Sequence, residues 1–295
     1  MWADSLKTEE VEGTLAAADQ LSAVTWAVPL LQRTKPILDR LRVGMTDKKA
    51  YQANPLQPSE MSLLFEIRFA RALTDAGLSA QYEHCAGVGN STVDFLVDGD
   101  PPWLVELVSL HESNAFKAAS WKSGVWAGFQ MGTNADDLRQ SEEGETLKAQ
   151  ERIGAKVFDG QQPIKFPEPN GSIHMIMVDA RGFLGDGHGD KADWSQIAYG
   201  PHGMELDQIR YWTNPNTHEC APIMGLFEPG CPQRAAPTLQ SRVHCIGFVC
   251  ESTFAADEIK QRVFNCCNPA LFADEDGAGA TMARWPLRRN AARYR

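Results

Sequence analysis

Two acidic residues in a short apolar hairpin are the part of this sequence best suited to chemistry. The stretch STVDFLVDGDPPWLVELVSL, residues 91–110, contains two apolar strands, with Asp94 in the first and Glu106 in the second. If the turn centres near Asp100, antiparallel pairing joins residues whose numbers sum to about 200, which sets Asp94 opposite Glu106. Their Cβ atoms would then lie about 4.5–5.5 Å apart on one face of the sheet.

Facing carboxylates of this kind need a cation between them. Like charges placed opposite each other destabilise a sheet, and the cost grows where the face is partly buried. A divalent metal such as Mg²⁺ or Mn²⁺ suits hard oxygen ligands. The alternative that spacing leaves open is a solvent-facing strand surface on which both acids are simply hydrated.

A third acid, Glu66, lies in the segment before the hairpin. Apolar residues recur at helical spacing through EMSLLFEIRFARALTDAGL, and Glu66 stands among them beside Phe65 and Ile67. An acid in such a stretch needs a partner, so a third carboxylate is available to the same site. Ser59 is placed to cap this helix at its N-terminus and Gly77 to end it.

The elements that must position these acids follow from changes in hydrophobic period. Residues 1–50 have helical periodicity, interrupted by Pro29 and Pro36. After the helix that contains Glu66 the period falls to about two, which predicts three strands in an antiparallel meander. The expected elements from there on are strands at 79–85, 92–98 and 103–110, a helix at 144–158, strands at 174–180, 222–227 and 242–250, and a helix near 255–265.

This order of elements predicts an α/β protein with a mixed β-sheet flanked by helices. We expect an N-terminal helical region at 1–58, an α/β domain at 59–265 and a C-terminal tail at 266–295. The tail finishes in RWPLRRNAARYR, whose twelve residues hold five arginines and no acid. Such an end is either a contact for nucleic acid or an acidic partner, or a solvated terminus.

Composition bounds the class of protein. The chain has 295 residues, 43% of them hydrophobic, which is enough for a large core. No stretch approaches the roughly 18–20 consecutive apolar residues of a transmembrane helix. The first residues are acidic where a signal peptide is basic and then apolar, and the seven cysteines are odd in number. We therefore expect reduced thiols, a cytoplasmic location and no membrane partner.

The motifs FEIRFARAL, STVDF and WLVELVSL, in the order helix, meander, helix and strand, resemble the PD-(D/E)XK, or restriction-endonuclease-like, nuclease superfamily over residues 59–180. The resemblance implies a restriction-endonuclease-like core in which Glu66 is the helical acid, Asp94 the first metal ligand and Glu106 the second. Asp94, Glu106 and the carbonyl of Leu107 would then hold Mg²⁺ or Mn²⁺ for hydrolysis of phosphodiester bonds, in DNA more than in RNA.

One position departs from the family pattern. Val108 stands where the family has the lysine that orients or activates the attacking water. Lys148 and Lys156 on the following helix are the candidates to replace that lysine, with Arg152 between them as a substrate contact. Gln150 is expected to orient the scissile phosphate. An ordinary solvated helix face is the alternative for each of these cations.

Val108 also leaves a second function open, that of a catalytically inactive domain serving as a binding or scaffold subunit. The formal net charge of −10 argues against a surface that binds nucleic acid everywhere, so a protein partner or homodimer is expected to help a nuclease of this kind. His218, Cys220 and Cys231 could bind zinc, but they lack the paired CxxC spacing, and free thiols are the alternative. No phosphate-binding loop or GxGxxG motif occurs, which disfavours NTP hydrolysis and dinucleotide binding.

Overall fold

A computed structural model gives the fold, which begins with a run of helices and continues with strands and further helices. The described residues are 8–111, 113–123, 126–129, 141–181, 183, 189–202, 209–213, 219–249, 263–272 and 274–287. The helices within them are α1 (Thr8–Leu21), α2 (Val28–Thr46), α3 (Lys48–Ala53), α4 (Pro58–Asp75), α5 (Asn114–Ala119), α6 (Glu142–Gly154), α7 (Lys191–Tyr199), α8 (Ala236–Arg242) and α9 (Glu275–Ala283). The strands are β1 (Ala80–His84), β2 (Val93–Val97), β3 (Trp103–Ser109), β4 (Ser120–Ser123), β5 (Trp126–Phe129), β6 (Ile173–Asp179), β7 (Tyr211–Thr213), β8 (Cys220–Pro222), β9 (Cys245–Val249) and β10 (Val263–Cys267).

Six of these strands form the central mixed sheet, in the order β1, β2, β3, β6, β9 and β10. The first three strands are antiparallel, β3, β6 and β9 run parallel to one another, and β10 is antiparallel to β9. The predicted α/β class with a mixed sheet and flanking helices is therefore confirmed, as is the antiparallel meander. Within the described ranges no helix has both the length and the apolar character needed to span a membrane.

The register of the hairpin is the predicted one. Phe95 pairs with Val105 and Val97 with Trp103. The strand pairing ends at Phe95 and Val105, and immediately beyond it the backbone N–H of Asp94 donates to Oε2 of Glu106 at 3.2 Å. The two acids thus face each other on neighbouring strands, which is the arrangement that the turn and the strand period predict.

The sheet has a hydrophobic core on each face. On one face α1, α2 and α4 cover apolar side chains of the strands, including Phe95 and Trp103. On the other face α6, α7 and α8 cover a second set, including Val108 and Ile176. Fully burying one such side chain contributes about 1.5–3 kcal/mol. Trp285, near the C-terminal end of the described chain, packs in the first core, so the N-terminal helices and this segment share one interior.

Two helix details differ from the sequence prediction. Helix α4 begins at Pro58, and Gln57 caps it in a reciprocal pair with Glu60, so Ser59 is not the cap. Helix α2 continues through Pro36, which was expected to interrupt it. Proline removes one helical hydrogen bond, but the neighbouring Ile37 is buried in the core, and such packing stabilises the helix despite the loss.

The larger differences between the predicted and the observed elements lie in the second half of the chain. The predicted strand at 222–227 is mostly a loop, because its apolar residues Leu226 and Phe227 hydrogen-bond to carbonyls at the end of α7 instead of a neighbouring strand. The predicted helix near 255–265 lies largely outside the described residues, and its last three positions belong to β10. The boundary predicted after residue 265 therefore falls inside β10.

Candidate functional site

Asp94 and Glu106 form the centre of the candidate site. Leu107 donates its backbone N–H to Oδ2 of Asp94 at 2.7 Å, while the N–H of Asp94 reaches Glu106 across the same strand pair. The two side chains are 8% and 0% exposed. Each carboxylate therefore accepts a hydrogen bond from the other strand, and this fixes both acids in place at the middle of the sheet.

The electrostatics of Glu106 are unusual for an acid. Burial and then the charge of Asp94 raise the pKa of Glu106 to about 7, against the opposing charges of Lys156 and Lys165. A carboxyl group in this range exchanges its proton near neutral pH, which is the property required of a general acid or base. Perturbed acids of this kind gather at functional sites more often than elsewhere.

Two lysines supply the cations that facing carboxylates require. Nζ of Lys156 lies 3.1 Å from Oε1 of Glu106, and Nζ of Lys165 lies 3.4 Å from the same oxygen. Lys165 also donates to the carbonyl of Thr92 at 2.7 Å, at the start of the first acidic strand. Burial lowers the pKa of Lys156, but the charges of Glu106 and Asp94 outweigh burial and raise that pKa above its ordinary value.

Lys156 reaches Glu106 from the turn after α6, whereas the side chain of Val108 on the same strand as Glu106 is buried. Val108 is 3% exposed and packs in the core between the sheet and α6. Lys156 follows the end of α6 in a turn whose backbone N–H groups bond to Ile153 and Gly154. The next residue, Val157, is buried and holds the turn in place. The ammonium group of Lys156 therefore approaches Glu106 from the side of the sheet that α6 covers.

Glu66 joins the site through a tyrosine. The hydroxyl of Tyr82 on β1 donates to Oε2 of Glu66 at 2.6 Å, and Nη1 of Arg33 donates to the tyrosine oxygen at 2.8 Å. Burial and the charge of Asp94 raise the pKa of Glu66 to about 7, while Tyr82, Arg33 and Lys156 act in the opposite direction. We refer to Glu66, Asp94 and Glu106 together as the acid cluster.

Three predicted residues lie apart from the contacts of the acid cluster. Lys148 pairs with Glu145 on its own helix at 2.7 Å. Arg152 is exposed, and its charge acts on His111 beyond the end of β3. Gln150 is fully buried and donates to the carbonyls of residues 197 and 224, so it holds α6 against its neighbours and offers no exposed group to a phosphate.

Cys220 and Cys231, for which the sequence left open either a zinc site with His218 or free thiols, both lie in the part of the chain that the structure describes. Cys220 is exposed on β8, and the sulfur of Cys231 lies 3.8 Å from the carbonyl of Met224. His218 lies outside the described residues. Across the described ranges, no group of three or more His, Cys, Asp or Glu side chains could hold a metal ion. A metal at the acid cluster must therefore take backbone or water oxygens in addition to the side chains of Asp94 and Glu106.

Sequence reasoning missed Lys165, Tyr82 and Arg33. Lys165 lies in an irregular segment before β6, where no periodicity indicates which way a side chain points. Arg33 and Tyr82 are 49 residues apart, and only the packing of α2 beside β1 brings them together. The one available signal was the isolated tyrosine in the strand sequence AQYEH, a polar hydroxyl at a core-facing position that needs a buried partner.

No family model, curated protein or solved structure matches the chain. Function is therefore inferred from the chemistry of the site. Three buried acids meet two lysines here, and two of the acids have a pKa of about 7. Such an arrangement can move a proton near neutral pH and stabilise negative charge on a bound group.

Proposed function

We propose that the chain is a metal-dependent nuclease that hydrolyses phosphodiester bonds, in DNA more than in RNA. The observation that carries the proposal is the contact between Lys156 and Glu106, because it brings an ammonium group to paired carboxylates although position 108 holds valine. The mixed sheet and its antiparallel meander agree with the restriction-endonuclease-like core that the sequence resembles.

The donor set fits Mg²⁺ or Mn²⁺. Asp94 and Glu106 offer hard carboxylate oxygens, the carbonyl of Leu107 is adjacent in sequence, and water oxygens commonly complete the shell of Mg²⁺. Burial and repulsion from Asp94 disfavour the ionised form of Glu106, and a bound divalent cation would favour it. When bound, the ion lowers the pKa of a coordinated water and neutralises charge on the phosphate.

The side chains of the chain itself divide the remaining work. The ammonium of Lys156 lies where it can orient the attacking water and stabilise negative charge that develops on the phosphate. Glu66, with a pKa of about 7, can accept a proton near neutral pH. Because the net charge is −10, a homodimer or protein partner in the cytoplasm is proposed to complete the nucleic-acid contact.

The test compares two lysines of the same segment. We expect Lys156→Met to reduce cleavage of DNA in Mg²⁺ or Mn²⁺ by about 100-fold or more, since an ammonium that acts on the reacting groups is lost. Lys148→Met is the matched control, because Lys148 pairs with Glu145 and should leave cleavage unchanged. Single-stranded DNA, duplex DNA and RNA are assayed side by side. Equal cleavage by wild type and Lys156→Met would refute the assignment.

A second candidate function is a catalytically inactive subunit that binds or scaffolds. The observation that favours it is the double contact of Glu106 with Lys156 and Lys165, since two ammonium groups already occupy the surroundings of this acid. Calorimetric titration with Mn²⁺ separates the two candidates. Binding to the wild type that disappears in Asp94→Ala supports the nuclease, whereas no binding and no cleavage would support the inactive subunit.

A further inference from the structure

A continuous chain of hydrogen bonds connects the N-terminal helices to the acid cluster. Arg33 on α2 donates to Tyr82 on β1, and Tyr82 donates to Glu66 on α4, over distances of 2.8 and 2.6 Å. We propose that Tyr82 is the positioning residue of Glu66, and that Arg33 holds Tyr82 in this role. The N-terminal helical region is then a working part of the site. The catalytic consequence rests on the proposed function, but the positioning itself does not.

The chemistry of the three groups fixes the direction of the chain. A guanidinium group only donates hydrogen bonds, so the oxygen of Tyr82 must accept from Arg33. The single hydroxyl proton of Tyr82 is then directed at the carboxylate of Glu66. The ring of Tyr82 is 9% exposed and packs against Phe95 with ring centroids 5.3 Å apart, which holds the hydroxyl in position.

The backbone beside Tyr82 supports the same interpretation. Glu83 has a φ of +51°, a left-handed conformation that is uncommon for residues other than glycine. Consecutive side chains of a regular strand point to opposite faces of the sheet. Here Tyr82 and Glu83 both contact Nη1 of Arg33, the latter at 2.6 Å. An unfavourable backbone conformation thus accompanies the placement of two consecutive side chains on one guanidinium group.

The groups that face Glu66 come from four parts of the fold, and they act in opposite directions. Asp94 on β2, together with burial, favours the protonated acid. Tyr82 on β1, Arg33 on α2 and Lys156 after α6 favour the ionised acid. The hydrogen-bond chain from Arg33 through Tyr82 therefore fixes the orientation of the Glu66 carboxylate among these opposing groups.

The experiment measures the titration of Glu66 directly, by NMR of carboxyl groups in protein labelled with ¹³C-glutamate, with Glu66→Gln used for assignment. We expect Tyr82→Phe, which keeps the ring, to move the midpoint upward by about one pH unit because the hydrogen bond to the ionised form is lost. Arg33→Gln should move the midpoint in the same direction by a smaller amount. Arg42→Gln is the control, since Arg42 lies on the same helix and pairs with Asp19 and Asp39.

The second readout is the pH dependence of DNA cleavage by the same variants. The acidic limb should move with the titration of Glu66 in Tyr82→Phe and stay in place in Arg42→Gln. An unchanged midpoint for Glu66 in Tyr82→Phe would overturn the positioning role. A midpoint that moves in a protein without cleavage would support positioning while the nuclease proposal fails. A midpoint that moves while the cleavage profile does not would overturn the catalytic consequence.

Discussion

Asp179 and Glu106 are buried carboxylates on the neighbouring strands β6 and β3, yet their electrostatics are opposite. Arg181 contacts Asp179 through two nitrogens, at 2.8 and 2.6 Å, and Arg68 adds a third contact at 3.4 Å. Burial raises the pKa of Asp179, but these guanidinium groups outweigh burial and lower the pKa to about 2. For Glu106, burial and Asp94 outweigh two lysines, and the pKa is about 7.

The arrangement of charges around an acid, and not burial alone, therefore sets its protonation in this core. A guanidinium group contacts a carboxylate with two parallel hydrogen bonds, whereas each lysine at Glu106 offers one contact to one oxygen. Among the described residues, the charges that act most strongly on Asp179 are those of Arg181 and Arg68, whereas the strongest charge on Glu106 is a second carboxylate. The compensated acid suits stability, and the acids with raised pKa suit chemistry.

We expect the largest change in stability from the loss of Asp179, the acid whose charge is balanced by two arginines. Asp179→Asn removes the charge that Arg68 and Arg181 share, so two buried guanidinium groups lose the carboxylate that both of them contact. We expect the free energy of unfolding to fall by about 3–5 kcal/mol. Denaturant unfolding at neutral pH measures the change. A loss below about 1 kcal/mol would show that the Asp179 carboxylate contributes little to the stability of the fold.

The pH dependence of stability should differ in sign between the two acids. The folded-state pKa of Asp179 is lowered to about 2. Its contribution to stability is therefore present above the unfolded-state pKa and is lost as the pH falls through the folded-state pKa. The folded-state pKa of Glu106 is raised to about 7, so its contribution is present below the unfolded pKa and is lost as pH rises toward that value.

Glu106→Gln isolates this second behaviour. Wild-type stability should fall by about 1.4 kcal/mol per pH unit for this acid between its unfolded pKa of about 4.3 and its folded pKa. The variant should lose that part of the slope and keep the part that comes from Glu66, whose pKa is also raised to about 7. Unfolding free energies measured across this pH window are compared. An unchanged slope would contradict the raised pKa of Glu106.

We expect the smallest changes in stability from substitution of Lys165 or Lys156, the two lysines that contact Glu106. Lys165→Met should change the free energy of unfolding less than Asp179→Asn does, because Lys165 is partly exposed and Lys156 still contacts Glu106 in this variant. It should also raise the pKa of Glu106 less than Lys156→Met does, since the charge of Lys156 acts more strongly on this acid. Carboxyl NMR of both variants provides the ranking. A larger rise in Lys165→Met would reverse the roles of the two lysines.

Local patterns predicted the hairpin well, because strand period and turn position alone set the register that brings Asp94 to Glu106. The unusual acid Glu66 was also identified from its apolar neighbours. Helix α7 was missed, although Asp190 and Asp193 form a reciprocal cap at its start that the sequence contains. That segment is rich in glycine and polar residues, and its weak period concealed a helix of nine residues.

The partners of the acids could not be predicted in the same way. Lys156 was one of two candidate lysines, and only the turn after α6 determines that it reaches Glu106 while Lys148 does not. Lys165 lies 59 residues after Glu106 in the sequence (165 − 106). Arg33 lies 33 residues before Glu66 (66 − 33). Contacts of this range depend on how whole elements pack, which local period does not contain.

The order of strands in the central sheet is also the order of strands along the chain. Each new strand can therefore join the exposed edge of the sheet as soon as it is synthesised, without inserting between strands already paired. The acid cluster and its lysines all lie before β6, and the last three strands of the sheet come after them. A nascent chain on the ribosome thus contains every residue of the candidate site before the sheet that supports it is complete.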